Sequence, residues 1–522
     1  MKIALAQLNY IIGDFEGNKA KIAESIVRAR AEGARVLAFA ELAVCGTPAL
    51  DLTSKVTFIE MCEEVLEDVA ALCDDITVIV GLPLQHGLHT SSAAAVIQNG
   101  RVIRYVGRKV ITRRSDRDYF VPSNGVEYVM VDGVRIAVAV GEDITLESDL
   151  AAADIIINPI SQCYMRRIIE RRYAYYSKAA YTLGKHVIYV NQVGGSTDVV
   201  FDGASAVFNP QGEPVALLKS FEEDFRVVDL ADTEHRERLP RPDKMQEVYG
   251  ALTLGLRDFF VKNGFTKACI GMSGGIDSAV VAAIAADVLG PENLRFLMLP
   301  SQFSSDHSVE DAVAMAEILG VEYNVVPITE AYKSITECMM PVLGGMPFDV
   351  TEENIQARIR CTMLMALSNK YGYVLLNTSN KSEEAVGYGT LYGDTVGAIS
   401  ILGDLYKREV YELARYINRN GVVIPENILV KEPSAELRPE QKDTDMLPPY
   451  DVVDAILYRM IEEGQHREEI INAGFDAEVV EKIHAMILKN EPKRYQFCPV
   501  LRLSTCTLGK GRVMPLTHRY GF

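Results

Sequence analysis

The pattern of apolar and polar positions predicts a mixed α/β protein. In the first half, short apolar runs predict strands, and stretches with helical spacing at residues 18–32 and 58–72 lie between them. Asn-Gly at 99–100 and Asp-Gly at 132–133 indicate hairpin turns. This order indicates one domain with a sheet of many strands. The strands predicted for this half are residues 2–7, 36–40, 76–80, 94–98, 102–106, 136–140, 155–158 and 187–191.

In the second half, strands and helices alternate regularly. Apolar runs at residues 268–272, 294–299, 322–326 and 373–377 predict strands, and helical stretches separate them. This alternation favours a doubly wound parallel sheet, whose ligands bind beyond the carboxyl ends of the strands. A charged segment with two prolines stands between the halves and is typical of a linker. The predicted division is a domain at 1–232, a linker at 233–246 and a domain at 247–522.

Composition and charge narrow the class of protein. The 71 acidic residues outnumber the 53 lysines and arginines, and the net charge of −18 disfavours nucleic acid as the main partner. No apolar run approaches the roughly 18 residues of a membrane span, and the N-terminus has no signal-peptide pattern. The nine cysteines are scattered, so neither a disulfide framework nor a zinc site is predicted. We therefore expect a cytoplasmic globular protein with no nucleic-acid or membrane partner.

A glycine-rich loop follows the first strand of the second half and leads into a helix. Adjacent glycines let the backbone turn tightly and approach a ligand closely. The amides at the start of the helix then form an anion site, serine hydroxyls add donors, and Asp277 could hold Mg²⁺ between phosphates. The alternative is an ordinary turn between strand and helix. The loop consists of Gly271, Met272, Ser273, Gly274, Gly275, Ile276, Asp277 and Ser278.

The loop contains the pattern Ser-Gly-Gly-x-Asp-Ser and resembles that of the PP-loop ATP pyrophosphatases. The common P-loop, Gly-x-x-x-x-Gly-Lys-Ser/Thr, does not occur in the chain. The resemblance implies that the loop binds the pyrophosphate that leaves when ATP adenylates a carboxylate or carbonyl. We therefore expect an adenylating enzyme rather than a kinase.

Charged residues follow three of the predicted strands in the first half. Glu41 follows the strand at 36–40, Lys109 follows the strand at 102–106, and Glu142 and Asp143 follow the strand at 136–140. Polar groups at the ends of neighbouring strands can converge on one pocket. The alternative is that each is a solvated charge at the end of its strand.

Six stretches of the first half, at residues 40–46, 108–109, 140–143, 158–161, 190–195 and 201–205, carry a resemblance to a known family. They are similar to the nitrilase superfamily of carbon–nitrogen hydrolases, especially the amidase domain of glutamine-dependent NAD synthetases. The resemblance implies an α-β-β-α sandwich. It implies that Glu41 is a general base, that Lys109 stabilises the oxyanion, and that a cysteine attacks the amide of glutamine.

The chain departs from this pattern at the nucleophile. Gly141 stands where the family has its cysteine, and glycine has no side chain that could form a thioester. Arg167 matches the lysine that would contact bound glutamine, and the loop after Lys109 is shorter than in the family. Cys163 and Cys45 are the alternative thiols. We interpret this domain as an amidase fold that has lost its amidase chemistry and retains a vestigial catalytic pair.

The second half resembles the synthetase domain of NAD synthetases over almost all its length. Residues 271–278, 353–360, 380–394 and 433–439 carry this resemblance, together with Lys493-Arg494. It implies a Rossmann-like fold of the adenine nucleotide alpha hydrolase type, with ATP on the loop and Mg²⁺ on Asp277 and Glu383. The further residues implied for ATP are Thr378, Lys407 and Ser434, and those implied for deamido-NAD are Asn354, Arg358, Glu383, Asp394 and Lys493.

The reaction implied by this resemblance is the amidation of deamido-NAD. The nicotinate carboxylate attacks the α-phosphorus of ATP, pyrophosphate leaves, and ammonia attacks the acyl-adenylate to give NAD and AMP. The segment at 440–445 resembles a mobile lid, and a homo-oligomer is expected. The alternatives are another PP-loop ligase that amidates a nucleotide base or thiolates RNA, a first half that serves only as an assembly or channel module, and an active glutaminase that uses another thiol.

Overall fold

The computed structural model describes residues 1–241, 243–439 and 441–520. Pro242 of the predicted linker, Glu440 of the predicted lid and residues 521–522 lie outside the described residues. The chain divides into two units, Met1–Pro242 and Asp243–Phe522. Among the helices of the described residues, none combines the length and the apolar character that a membrane crossing requires.

The strands of the first unit are longer or shorter than predicted by a few residues, but all the predicted ones are present. The helices are α1 (Phe15–Ala31), α2 (Val56–Ala71), α3 (Arg114–Arg117), α4 (Glu147–Leu150) and α5 (Ile168–Leu183). The strands are β1 (Lys2–Gln7), β2 (Val36–Ala38), β3 (Thr77–His86), β4 (His89–Gln98), β5 (Arg101–Gly107), β6 (Glu127–Val131), β7 (Val134–Val138), β8 (Ile155–Ile160), β9 (His186–Asn191), β10 (Val193–Ser196), β11 (Val199–Asp202), β12 (Ala206–Phe208), β13 (Pro214–Leu217) and β14 (Asp224–Asp229).

These elements form the predicted α-β-β-α sandwich. Within the described residues, one sheet has the order β14-β1-β2-β3-β4-β5 and the other the order β13-β12-β9-β8-β7-β6. Apolar side chains of both sheets, such as Leu5 and Ile157, form the inner core. The outer faces are covered by helices, with Ile26 of α1 on one sheet and Tyr173 of α5 on the other. The sandwich therefore brings the ends of β2, β5 and β7 to the region where the charged residues were predicted to meet.

The two predicted hairpin turns are confirmed. Asn99 and Gly100 connect β4 to β5 with φ of 50° and 72°, and Asp132 and Gly133 connect β6 to β7 with φ of 49° and 82°. Asparagine, aspartate and glycine tolerate this left-handed backbone better than other residues. The turn chemistry thus sets the register of both hairpins.

The second unit has the predicted parallel sheet. Its strands are β15 (Ala268–Gly271), β16 (Leu294–Met298), β17 (Glu322–Val325), β18 (Val374–Asn377) and β19 (Ile399–Ser400). Their order is β17-β16-β15-β18-β19, and the paired strands are parallel. Because the chain moves outward from β15 in both directions, a crevice forms at the carboxyl ends of β15 and β18.

Helices surround this sheet. The first of them begins at Lys244, three residues before the predicted start of the second domain, because the Asp243 side chain accepts hydrogen bonds from the amides of Met245 and Gln246. The helices are α6 (Lys244–Asn263), α7 (Ile276–Leu289), α8 (Asp306–Leu319), α9 (Thr329–Leu343), α10 (Val350–Tyr371), α11 (Lys381–Val386), α12 (Lys407–Ile417), α13 (Glu426–Val430), α14 (Tyr450–Ile461), α15 (Arg467–Asn472), α16 (Ala477–Lys489) and α17 (Glu491–Arg494).

Candidate active site

A cavity of about 310 Å³ lies at the carboxyl ends of β15, β16 and β18. The crevice position is the one that a doubly wound sheet offers to a ligand. The residues predicted to bind ATP all line this cavity: Gly271, Met272, Ser273, Gly274, Gly275, Ile276, Asp277, Ser278, Thr378, Lys407 and Ser434. The structure therefore brings together, from four separate stretches of sequence, the set that resemblance alone implied.

The glycine loop has a backbone that only glycine fits. Gly274 has a φ of 74°, and a Cβ built on it would lie 2.2 Å from the carbonyl oxygen of Ser308. Gly275 then precedes α7, which begins at Ile276, and its amide donates to the hydroxyl of Ser273 at 3.2 Å. The close approach of the loop to α8 holds it in place at the start of α7. The amides at this helix end form a site for a negatively charged group.

A buried lysine joins the two carboxylates predicted to hold the metal. The Nζ of Lys407 lies 2.5 Å from Oδ2 of Asp277 and 3.2 Å from Oε1 of Glu383. Asn380 donates to the other oxygen of Asp277 at 2.9 Å and forms a capping box with Glu383 at the start of α11. The two carboxylates therefore face one cationic position at the edge of the cavity.

The ionisation of this group follows from burial and pairing. Burial raises the pKa of Glu383 above its ordinary value, although the ammonium of Lys407 opposes this effect. Burial lowers the pKa of Lys407, but the carboxylates of Asp277 and Glu383 outweigh that effect and raise it above its ordinary value. Lys407 therefore keeps its positive charge beside the cavity.

Three of the residues predicted for deamido-NAD hold the glycine-tyrosine loop at 387–394. Asn354 accepts a hydrogen bond from the hydroxyl of Thr390 at 2.7 Å, and the Nε of Arg358 donates to a loop carbonyl at 3.2 Å. Lys493 donates to two further loop carbonyls at 2.8 and 2.7 Å. In this arrangement the three side chains contact the loop from outside the main cavity, whose wall the loop forms in part.

Other predicted and unpredicted residues do line the main cavity. Asp394 and Glu383 are there as predicted, and burial raises the pKa of Asp394. Arg360 also lines the cavity, although the sequence pointed to Arg358 two positions earlier on α10. Two residues along a helix correspond to about 200° of rotation, so only one of two such arginines faces the cavity. Lys431 is a second cation that sequence reasoning missed.

The first unit has a second cluster of buried charges, around Glu41. This side chain is 2% exposed, and its Oε1 accepts hydrogen bonds from the Ser92 hydroxyl at 2.6 Å and from Arg108 at 2.7 Å. Its other oxygen accepts from the amide of Ser161 at 3.2 Å. Both carboxylate oxygens of Glu41 therefore have hydrogen-bond partners, which fix the orientation of the side chain that the resemblance assigns as a general base.

Arg108, and not Lys109, is the cation beside Glu41. The side chain of Lys109 is exposed and lies next to Gly125, whereas Nη1 of Arg108 lies 2.7 Å from Oε1 of Glu41. The reason is the backbone: the amide of Lys109 donates to the buried carboxylate of Asp143 at 2.9 Å, and the preceding residue turns inward. Arg108 is 1% exposed. The strand end thus offers an arginine where the sequence-based expectation had a lysine.

The short loop after β5 adds further charges to this cluster. Arg108 also pairs with Asp116 at 2.7 Å, and Arg113 pairs with Glu142 at 2.7 Å. Burial lowers the pKa of Arg108, but the carboxylates of Glu41 and Asp116 outweigh that effect and raise it above its ordinary value. The result is a buried network of two arginines and three carboxylates. Sequence reasoning missed the two inward residues of this loop, because its arginines and aspartates alternate without a pattern that marks a buried side.

Arg108 occupies the space beside Gly141 that a nucleophile would need. Gly141 has a φ of 59°, and a Cβ built on it would lie 2.4 Å from Cδ of Arg108. Its carbonyl accepts a hydrogen bond from Asn158 at 2.9 Å, which fixes the turn after β7. A side chain at this position would therefore collide with the stem of an arginine that two carboxylates hold.

Of the two alternative thiols, Cys45 is poorly placed for catalysis. Cys45 is fully buried, and a hydrogen bond with Cys62 together with burial raises the pKa of its thiol well above the ordinary value. A thiol that stays protonated is a weak nucleophile. Cys163 is half-buried and forms an isolated bridge with Phe201, and Arg167 is exposed just before α5.

The two units match two families of enzymes. Residues 2–236 match the carbon-nitrogen hydrolase family, and residues 248–497 match the NAD synthase family. The chain is 39% identical to a glutamine-dependent NAD(+) synthetase of Synechocystis, over 99% of both chains. It is 38% identical to one from Thermotoga maritima, over 100% of this chain and 99% of the other.

Solved structures agree with this assignment. The glutamine-dependent NAD+ synthetase of Acinetobacter baumannii, solved in complex with ADP, is 34% identical and has a TM-score of 0.80. The match covers 99% of this chain and 98% of that one. A Cytophaga hutchinsonii synthetase, 21% identical with a TM-score of 0.84, shares the fold. The chain belongs to the glutamine-dependent NAD(+) synthetases, enzymes that join carbon to nitrogen.

Proposed function

We propose that the chain makes NAD from deamido-NAD, ATP and ammonia, and that it does not hydrolyse glutamine itself. Membership of the synthetase family supports the first part. The observation that carries the second part is the position of Arg108, whose stem lies 2.4 Å from where a Cβ of residue 141 would be. We also propose that the chain consists of a domain at 1–232, a linker at 233–246 and a domain at 247–522.

ATP would bind with its phosphates on the glycine loop. The amides at the start of α7 and the hydroxyls of Ser273 and Ser278, 3.1 Å apart, are donors that suit phosphate oxygens. Lys407 begins α12 on the facing side and supplies a positive charge. A relative from Acinetobacter baumannii binds ADP, as this proposal requires of the adenine nucleotide.

The residues present fit a magnesium ion shared with phosphates. Asp277 and Glu383 both lie close to one cation, the Nζ of Lys407, so a divalent cation could take a position between them. Among the described residues, no group of three or more acidic, histidine or cysteine side chains could hold a metal alone. Mg²⁺ is commonly held by one or two carboxylates with phosphates and water completing its shell. Bound there, it would neutralise charge on the phosphates.

The residues of the cavity then carry the reaction in two steps. The loop amides and Lys407 would orient ATP so that the nicotinate carboxylate of deamido-NAD attacks the α-phosphorus, and they would stabilise the departing pyrophosphate. Ammonia would next attack the carbonyl of the acyl-adenylate and release AMP. The glycine-tyrosine loop, held by Asn354, Arg358 and Lys493, would cover deamido-NAD and keep water from the adenylate.

A homo-oligomer formed through the synthetase domain is also part of the proposal. The end of α9 and the segment before α10 expose apolar side chains that a stable monomer usually covers. Their exposure reaches 75% at Val342 and 76% at Met346. The other exposed members of this surface are Ile335, Met339, Met340, Phe348 and Val350. Light scattering on the purified protein would measure the assembly directly.

The nitrogen donor can be tested with the purified enzyme. We expect NAD to form from deamido-NAD, ATP and ammonium chloride, and no glutamate to be released when glutamine replaces ammonium. Release of one glutamate per NAD, blocked by a thiol reagent, would instead favour the second candidate, a glutaminase that uses another cysteine such as Cys163, which is half-buried near Arg113.

A further inference from the structure

A second, smaller cavity adjoins the ATP cavity in the synthetase unit. Its volume is about 20 Å³, and Ser379, Glu383 and Tyr388 line both cavities. A space needs about 10–15 Å³ to hold one water molecule, so this cavity has room for one molecule of that size. The cavity is too small for any part of a nucleotide, yet it lies beside the place where the adenylate would form.

Two buried polar groups line this cavity without partners. Glu384 is 6% exposed, and within the described part of the chain neither oxygen of its carboxyl group has a hydrogen-bond partner. Arg494 is 3% exposed, and its Nε also has no partner there, although its other nitrogens donate to Ala385 and Glu491, each at 2.7 Å. Leaving a buried polar group unpaired costs about 1–3 kcal/mol. Such a pair points to a small ligand.

We propose that this cavity binds the nitrogen donor of the reaction as a single molecule of neutral ammonia. The carboxyl group of Glu384 accepts an N–H of ammonia, and the Nε–H of Arg494 donates to its lone pair. Ammonium has four donors and no lone pair, so it would satisfy Glu384 and leave Arg494 unpaired. Since Ser379, Glu383 and Tyr388 line both cavities, ammonia held here would lie next to the cavity in which the acyl-adenylate forms.

This inference rests on the proposed function, because only an ammonia-using synthetase needs such a site. Water has the same size and the same capacity to donate and accept, and it is the competing occupant. Kinetics distinguish the two occupants. Disrupting a water site should leave the KM for ammonium unchanged, whereas disrupting an ammonia site should raise it.

The test is the KM for ammonium in Glu384→Leu, at fixed pH with saturating ATP and deamido-NAD. We expect the KM for ammonium to rise about tenfold, the factor that one buried hydrogen bond can supply. The KM for ATP is expected to stay within about twofold. Glu384→Gln keeps the shape of the side chain and one acceptor oxygen, so its KM for ammonium should rise less. This variant replaces Glu384→Leu in the test if the leucine variant does not fold.

Asp454→Asn is the matched control. Asp454 is also a buried carboxyl that contacts α11, where it accepts from the hydroxyl of Ser382, and it does not line the small cavity. Its KM for ammonium should match that of the unmodified enzyme. An unchanged KM for ammonium in both Glu384 variants would overturn the ammonia site and leave water as its occupant. Failure of the unmodified enzyme to form NAD with ammonium would overturn the proposed function instead.

Discussion

Both units of this protein bury a cation between carboxylates, but only one of them leaves space for a substrate. In the synthetase unit, Lys407 lies between Asp277 and Glu383 at the edge of a cavity of about 310 Å³. In the amidase-like unit, Arg108 lies between Glu41 and Asp116 and fills the position where a nucleophile would stand. The same kind of pairing therefore accompanies a usable site in one unit and a closed site in the other.

The difference follows from the two cations. A lysine ammonium is a point charge on a flexible stem, so Lys407 can move from the carboxylates to a phosphate without rebuilding its surroundings. An arginine fork is planar and is held from two sides here, at 2.7 Å by each of two carboxylates. We therefore regard the cluster around Lys407 as catalytic and the cluster around Arg108 as structural, and variants in each should separate these roles.

The largest effect is expected at Asp277, which should be catalytic. Asp277→Ala removes a carboxylate that would hold Mg²⁺ on the phosphates and leaves Lys407 with Glu383 as its remaining carboxylate partner at this edge of the cavity. The rate of pyrophosphate exchange into ATP, measured with deamido-NAD present, should fall by about 10²–10³, the loss typical of one preorganised electrostatic group. Asp287→Ala is the control, because Asp287 is an exposed residue of the same helix outside the cavity. An exchange rate equal to that of the unmodified enzyme would remove Asp277 from the site.

The next effect is expected at Arg108, which should be structural. Arg108→Met leaves Glu41 and Asp116 buried with less compensation, which typically costs about 3–5 kcal/mol in the free energy of unfolding. Urea denaturation would measure this loss. Arg104→Met, on β5 just before Arg108, breaks an exposed pair with Glu127 and should cost less than about 1 kcal/mol. Equal stability of the two variants would mean that the buried network contributes little.

The sequence predicted the fold of both units because its signals are local. Hydrophobic periodicity placed the strands, and residues such as Asn99 and Asp132 marked the hairpins. The glycine loop and the other residues that the resemblance implies for ATP were also predicted, and all of them line one cavity. The sequence did not reveal that Arg108 rather than Lys109 is buried, or that Arg360 rather than Arg358 lines the cavity. Neighbouring basic residues cannot be told apart in this way until the direction of the backbone is known.

A smaller loss of stability is expected from a substitution at Gly141, the position at which the amidase-like site has no space for a side chain. Gly141→Cys should release no glutamate from glutamine and should lose about 1–3 kcal/mol of stability, because its Cβ overlaps the stem of Arg108. Gly133→Cys isolates the backbone strain, since Gly133 has a similar φ of 82° but nothing near its Cβ.

The double variant Arg108→Lys with Gly141→Cys sharpens the same comparison. A thinner, more flexible side chain at 108 should relieve part of the overlap, so the double variant should be more stable than the sum of the single changes predicts. Additive losses would show that the overlap is not the source of the instability. Glutamate release by the single variant would contradict the view that Arg108 closes the site.

The smallest effect is expected at Arg358, at the rim of the open site. Arg358→Ala removes one hydrogen bond to a carbonyl of the glycine-tyrosine loop at 3.2 Å, and the loop should then cover deamido-NAD less firmly. Titration calorimetry should show deamido-NAD affinity weakened by about 1 kcal/mol, the usual net value of one hydrogen bond. Arg360→Ala provides the contrast, because Arg360 lines the cavity itself and its loss should weaken ATP as well. Since Arg358 is exposed and acts only through the loop, an unchanged affinity for deamido-NAD would make it a surface residue. A loss as large for ATP as for deamido-NAD would mean that the loop supports the whole cavity.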